Sequence, residues 1–267
     1  MTEKYRLICG DNAAVLRDFP SGAVDLTVTS PPYDDLRRYS GFFVDYPALI
    51  KQLHRVTRTG GVVVWVVGDQ VVNSGGESGN SMRQALMFMD VGFLLHDTMI
   101  YKKNSAPYPE RNRCIQVWEY MFVFSLGRPS VVNLPRDRRN KYLDGAWGKV
   151  SRRGEDGTLT PRKAKYSVAE YGVRFNIWEY NTGAGFSASD DLASKHPAIF
   201  PEDLARDHIL MWSNPGATIL DPFSGSGTVG KMSVRYDREF IGIDISQEYV
   251  DLASKRIGLE AAQGKLF

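Results

Sequence analysis

At 267 residues, with 43% hydrophobic and 24% charged side chains, the chain can bury one substantial α/β core together with a smaller inserted region. No apolar stretch approaches the roughly 18 residues of a membrane span and the N-terminus has no signal-peptide pattern, so a cytoplasmic setting without a membrane partner is expected. Two cysteines exclude a disulfide framework and a thiolate metal cluster, and a net charge of +2 leaves nucleic-acid binding to be read from how the charge is distributed.

In chain order, Tyr5 to Gly10 reads as a first strand, Asn12 to Phe19 as a short helix, and Ala23 to Thr29 as a second strand. That strand runs into Ser30-Pro31-Pro32-Tyr33. Two prolines supply no backbone N–H, so they end the strand and leave the Ser30 and Pro31 carbonyls without an obvious ladder partner. Such carbonyls can accept from an amine, and Tyr33 adds a flat surface that can stack on a planar base, although a plain strand terminator followed by a core tyrosine fits the same residues. Asp34 to Phe43 follows directly, and its Arg37 and Arg38 read as phosphate contacts or as part of a linker. Tyr46 to Thr57 carries Leu49, Ile50, Leu53 and Val56 on one helical face. Gly60-Gly61 then breaks the helix before Val62 to Val67, a continuous apolar run suited to a strand buried on both faces. Asn73 to Ser81 reads as a glycine-rich loop, Ser81 to Met89 as a helix, and Phe93 to Tyr101 and Tyr120 to Ser125 as strands. Cys9 and Cys114 read as packing residues.

Between Leu126 and Phe175 the pattern becomes irregular and basic. Twelve Lys and Arg, among them Arg136, Arg138, Arg139, Arg152 and Arg153, stand against five Asp and Glu, so the remainder of the chain is acidic overall. This segment, with Tyr142, Trp147 and Tyr166 as a small core or as base contacts, is the expected DNA-contacting insertion.

Downstream, Ala217 to Asp221 reads as a strand entering Pro222-Phe223-Ser224-Gly225-Ser226-Gly227-Thr228, and Phe240 to Asp244 as another, followed by a helix from Gln247 to Ile257. Gly225, Gly227 and Gly230 fit G-x-G-x-x-G. Asp244 lies 19 residues after Gly225, the separation at which a carboxylate can take ribose hydroxyls. A phosphate-binding P-loop is disfavoured because Met232 stands where a magnesium-binding Ser or Thr is needed, whereas a nicotinamide-dependent oxidoreductase stays open on the glycines alone. The histidines show no ligand spacing, so no metal site is expected.

Thr-Ser-Pro-Pro-Tyr followed far downstream by Asp-Pro-Phe-Ser-Gly-Ser-Gly-Thr resembles the S-adenosylmethionine-dependent DNA amino-methyltransferases, in the order of their beta class. His196 to Pro201 strengthens the likeness, which spans nearly the whole chain apart from its middle. The resemblance implies a Rossmann-like, seven-stranded, mostly parallel α/β sheet, circularly permuted so that the Tyr5 to Gly10 strand completes the cofactor half. It divides the chain into a catalytic half at residues 1–126, a target-recognition insertion at 127–175 and a cofactor half at 176–267. It implies double-stranded DNA as partner, a link to restriction-modification, and a homodimer as one arrangement left open. Asp11, Phe200, Asp221, Pro222, Phe223, Gly225, Gly227, Thr228 and Asp244 would hold the cofactor. Asp11 can equally be a helix N-cap and the two phenylalanines core residues. Ser30 at the head of the tetrapeptide is more typical of cytosine N4 than of adenine N6 methylation, in either case of a nucleotide flipped from the duplex. A DNA-binding protein with a decayed cofactor fold is the remaining alternative, opposed by the intact motifs.

Overall fold

A computed structural model of the chain describes residues 4–32, 44–72, 75–104, 113–141, 151–161, 169–183, 187–190, 192–193 and 199–263. Two compact units emerge, one formed by residues 1–133 and 176–267 and the other by 134–175.

The larger unit starts with β1 (Tyr5–Cys9), α1 (Asn12–Arg17) and β2 (Val24–Thr29), then α2 (Tyr46–Val56), β3 (Thr57–Val67), α3 (Asn80–Asp90), β4 (Leu94–Lys103) and β5 (Trp118–Ser125). The smaller unit holds β6 (Arg138–Arg139), β7 (Ser151–Arg153), β8 (Leu159–Pro161) and β9 (Tyr171–Gly172). The chain then returns to the larger unit through β10 (Ile177–Tyr180), α4 (Glu202–Trp212), β11 (Thr218–Asp221), α5 (Thr228–Arg235), β12 (Glu239–Asp244) and α6 (Gln247–Ala262).

Among the described residues the main sheet has eight strands in the order β1-β12-β11-β2-β3-β5-β4-β10, parallel throughout except where β5 runs against β3 and β4. All seven expected strands are present. The eighth, β10, adds to the edge of β4 with Ile177 opposite Ile100, and its four residues are too short to carry a periodic signal. The permutation is as expected: β1 pairs with β12 along its whole length, from Tyr5↔Phe240 to Cys9↔Asp244.

Helices cover both faces. On one, α4, α5 and α6 bury Leu204, Ile209, Met232 and Ile257 against Val62, Val64 and Val66; on the other, α1, α2 and α3 bury Leu16, Leu49, Leu53 and Phe88 against Val63, Trp65 and Val67. Strict alternation between two cores is why the stretch of β3 from Val62 to Val67 has no polar position. Val24 and Leu26 lie in opposite cores although they are two residues apart, because the β2–β3 register shifts between them. The α2 stripe is buried as expected. Its helix, however, ends at Val56 and the strand begins at Thr57, so Gly60-Gly61 lie inside β3 and do not break the helix. Gly61 is needed there because a Cβ would meet the Asp25 and Arg58 carbonyl oxygens at 3.0 and 2.9 Å.

Both cysteines are exposed and free, which corrects their reading as packing residues. Cys9 is the last residue of β1 and Cys114 lies in irregular chain before β5, where apolar neighbours in sequence do not imply burial. Within the glycine-rich loop, residues 75–81 are tied down: Asp69 accepts from Ser81 N at 3.0 Å and Ser78 Oγ at 2.8 Å. Although burial raises the Asp69 carboxyl, those hydrogen bonds hold it below the usual carboxylate range.

Candidate active site

The carboxyl ends of β2 and β11 lie side by side, paired in parallel at Leu26↔Ile219 and Thr27↔Leu220. Two segments about 190 residues apart in sequence are thereby adjacent, and in open α/β sheets this end is where ligands bind. Thr29 Oγ1 donates to Asp221 Oδ1 at 2.6 Å, both residues being buried, and Phe223 N donates to the same oxygen at 3.0 Å. Burial pushes the Asp221 carboxyl up to about 7, against the lowering effect of these two hydrogen bonds and with a further push from the Asp244 charge. Beyond Thr29, Pro31 is buried and Ser30 and Pro32 half-buried, while Tyr46 Oη donates to the Pro32 carbonyl at 3.0 Å. Tyr33, Arg37, Arg38 and residues 196–198 lie outside the described residues.

The turn after β11 is shaped by Gly225 and Gly227, with φ of +47° and +77°. Gly227 caps α5, and a Cβ there would sit 2.7 Å from the Ala253 Cβ on α6, so its freedom serves helix packing as well as the turn. Asp244, at the end of β12, accepts from Gly225 N at 2.8 Å and from Ser246 N at 2.9 Å, joining the turn after β11 to the turn after β12. A carboxylate has about four acceptor positions, so hydroxyl groups can still bind. Asp11 caps α1 by accepting from Ala14 N at 2.7 Å, which realises the plainer of its two readings. Asn12 Nδ2 reaches the Pro222 carbonyl at 3.1 Å, tying α1 to this turn. Phe223 packs edge-on to Trp65 and Phe200 against the opposite core, each partly buried, so both have a ring face beside the core.

Beneath the turn lies a buried charge cluster that no sequence spacing announces. Lys231 Nζ is 2.7 Å from both Asp190 Oδ2 and Glu202 Oε1, and Arg256 Nη2 is 3.0 Å from Asp190 Oδ2. Arg256 also donates to the Ser226 carbonyl at 2.6 Å and to Thr228 Oγ1 at 3.2 Å, holding the glycine turn from below. Burial raises the Asp190 carboxyl, but hydrogen bonds from Arg256 and Lys231 outweigh it and hold the group well below the usual range. The P-loop-like lysine is thus consumed by internal carboxylates. A lysine following G-x-x-x-x-G was the one visible trace of this cluster.

The unit at 134–175 is of a different character. It has eleven Lys and Arg against five Asp and Glu, and none of its described side chains belongs to a buried core. Arg136, Arg139 and Arg153 are exposed; nothing is described of the Arg152 side chain, nor of Tyr142, Trp147 and Tyr166. Arg138 donates from Nε to the Val173 carbonyl at 2.9 Å and lies 4.5 Å over the Phe175 ring, on the β6–β9 ribbon. Phe175 and Tyr171 are themselves exposed.

Two carboxylates at adjacent strand ends, a glycine turn and a proline-ended strand suit a ligand with cationic groups and hydroxyls. Among the described residues no group of three or more His, Cys, Asp and Glu is placed to hold a metal ion, and no described helix is long and apolar enough to cross a membrane.

Comparison with known proteins matches residues 24–255 to a family described as DNA methylase. The orphan methyltransferase M.BamHII of Bacillus amyloliquefaciens is 51% identical over 235 residues, 88% of each chain. The type II methyltransferase M.SmaI of Serratia marcescens is 27% identical, covering 94% of this chain and 90% of its own. TTHA0409 of Thermus thermophilus, a candidate DNA modification methylase solved with S-adenosyl-L-methionine, superposes with a TM-score of 0.63 at 25% identity over 96% of each chain. The cytosine-N4-specific PvuII DNA methyltransferase superposes with a TM-score of 0.69 over 96% of this chain and 87% of its own; at 19% identity it speaks to the fold.

Proposed function

The chain belongs to the DNA methylase family, and on that premise we propose that it transfers the methyl group of S-adenosylmethionine to the exocyclic N4 amine of a cytosine flipped out of double-stranded DNA. The observation that carries this reading is the junction of β2 with β11, where the Thr29–Asp221 hydrogen bond brings Ser30-Pro31-Pro32 beside the glycine turn. The fit to the cofactor is chemical: Asp221 and Asp244 would offset the charge of its cationic ammonium and sulfonium, and the remaining acceptor positions of Asp244 would suit its ribose hydroxyls. When bound, the cofactor supplies an already activated methyl group.

The chain's own residues then have two tasks. An exocyclic amine is a poor nucleophile because its lone pair is delocalised into the ring. Hydrogen bonds from its two N–H groups to the Ser30 hydroxyl and to the Ser30 or Pro31 carbonyl favour the pyramidal amine, whose lone pair can attack in line, and Tyr33 stacks on the base. The rate gain comes from proximity and electrostatic alignment. Withdrawing the base from the duplex costs a few kcal/mol, offset by stacking and by protein contacts to the backbone. The basic unit, with Arg136, Arg138, Arg139, Arg152 and Arg153, is assigned to those contacts: eleven Lys and Arg against five Asp and Glu, with Arg136, Arg139 and Arg153 exposed, suit a polyanion.

Ser30 favours cytosine, and adenine N6 is the second reading, since both amines use the same carbonyl acceptors. Methylated DNA digested to nucleosides and resolved by mass decides between them. N4-methylcytosine is the expected product, N6-methyladenine alone overturns the base assignment, and DNA left unmodified overturns the activity.

A further inference from the structure

The ladder between β2 and β11 comprises Leu26↔Ile219 and Thr27↔Leu220, yet β2 continues to Thr29, where its pairing is with Trp65 of β3. At the last residues of the two strands a side-chain bond takes over from the backbone ladder. Thr29 Oγ1 donates to Asp221 Oδ1 at 2.6 Å, and Phe223 N reaches the same oxygen at 3.0 Å. One carboxylate oxygen therefore gathers the residue directly before Ser30 and the second residue of the turn leading to Gly225.

The sheet does not require this hydroxyl. Position 29 is fully buried on a strand, where valine serves as well sterically, and valine occupies position 28 and the facing stretch of β3. Burying a hydroxyl and a carboxyl together is costly unless they satisfy each other, so the pair has a use beyond filling space.

We propose that Thr29 is a positioning residue for methyl transfer, setting through Asp221 the separation between the glycine turn and the Ser30–Pro31 backbone. This rests on the transfer reaction proposed above. In-line displacement tolerates little misplacement, and about 1 Å of drift costs on the order of a hundredfold in rate. Thr29 touches neither reactant; it acts by holding together the two elements that do.

Three enzymes decide it: the parent, Thr29→Val and Thr29→Ser, each assayed for kcat and for KM toward S-adenosylmethionine and a duplex substrate, with thermal unfolding alongside. Thr29→Val should lower kcat about 10- to 100-fold with both KM values within about threefold of parent, while Thr29→Ser, which keeps the donor, should stay within about threefold in all constants. Parent-like kcat in Thr29→Val, a loss confined to KM, or a Thr29→Ser enzyme as slow as Thr29→Val each overturn the proposal and leave the transfer reaction standing. A parent enzyme that transfers no methyl group overturns both. Should Thr29→Val not fold, Thr29→Ala, which also lacks the donor, takes its place with the same expectations.

Discussion

Asp221 is the residue on which opposing electrostatic effects meet. Its environment raises the carboxyl to about 7, chiefly by burial, so in the free protein the charged form is disfavoured relative to the unfolded chain. For a carboxyl with a raised folded pKa, the contribution to stability is fully present below the unfolded value of about 4 and is lost as pH rises toward 7. Asp221→Asn keeps an oxygen for Thr29 Oγ1 and Phe223 N and cannot ionise, so its unfolding free energy should vary less between pH 4 and 7 than that of the parent. A cationic ligand reverses the preference, because it favours the ionised carboxylate. The affinity for S-adenosylmethionine should therefore rise from pH 6 to pH 8 in the parent and stay flatter in Asp221→Asn. Calorimetric titration at the two pH values checks this, and an equally steep rise in the variant would assign the dependence to another group.

At the scale of elements, the charge cluster welds α4, α5 and α6 to the segment around Asp190. Lys231 and Arg256 are almost fully buried, so removing either cation leaves the buried Glu202 and the partly exposed Asp190 short of a partner. Lys231→Met should cost about 3 to 5 kcal/mol of unfolding free energy in chemical denaturation, more than an exposed ion pair such as Lys102–Glu179, worth about 1 kcal/mol or less. A loss below 1 kcal/mol would mean that the carboxylates find other partners. This cluster also marks a limit of sequence reading. Elements with a strong period or a long apolar run, such as α2 and β3, were legible because burial imposes that pattern locally. The cluster was not, because four residues from four separate segments carry it. Likewise β10 has four residues, and Asp11 offers the same carboxylate to a helix cap or to a ligand, so only geometry distinguishes its roles. The two sequence motifs were legible because prolines and glycines state backbone requirements directly. Their adjacency was legible only through the family resemblance.

For the whole molecule, the decisive property is the segregation of charge. The chain carries +2 in total, yet the unit at 134–175 has six more cations than anions, so the remainder is net acidic. A polyanion is attracted by the charge of the basic unit and repelled by that of the acidic remainder. Each phosphate neutralised by a Lys or Arg releases condensed counterions, giving a slope in log affinity against log salt of about 0.9 per neutralised phosphate on duplex DNA. Changing Arg136, Arg139 and Arg153 to Gln should therefore weaken duplex binding across all sequences and flatten the salt slope by about one unit for each phosphate no longer neutralised. Affinity for S-adenosylmethionine should hold, since the groups assigned to it all lie on the sheet unit. Fluorescence anisotropy with a labelled duplex between about 50 and 200 mM salt measures the slope. If both affinity and slope stay at the parent values, the basic unit is not the surface that holds DNA.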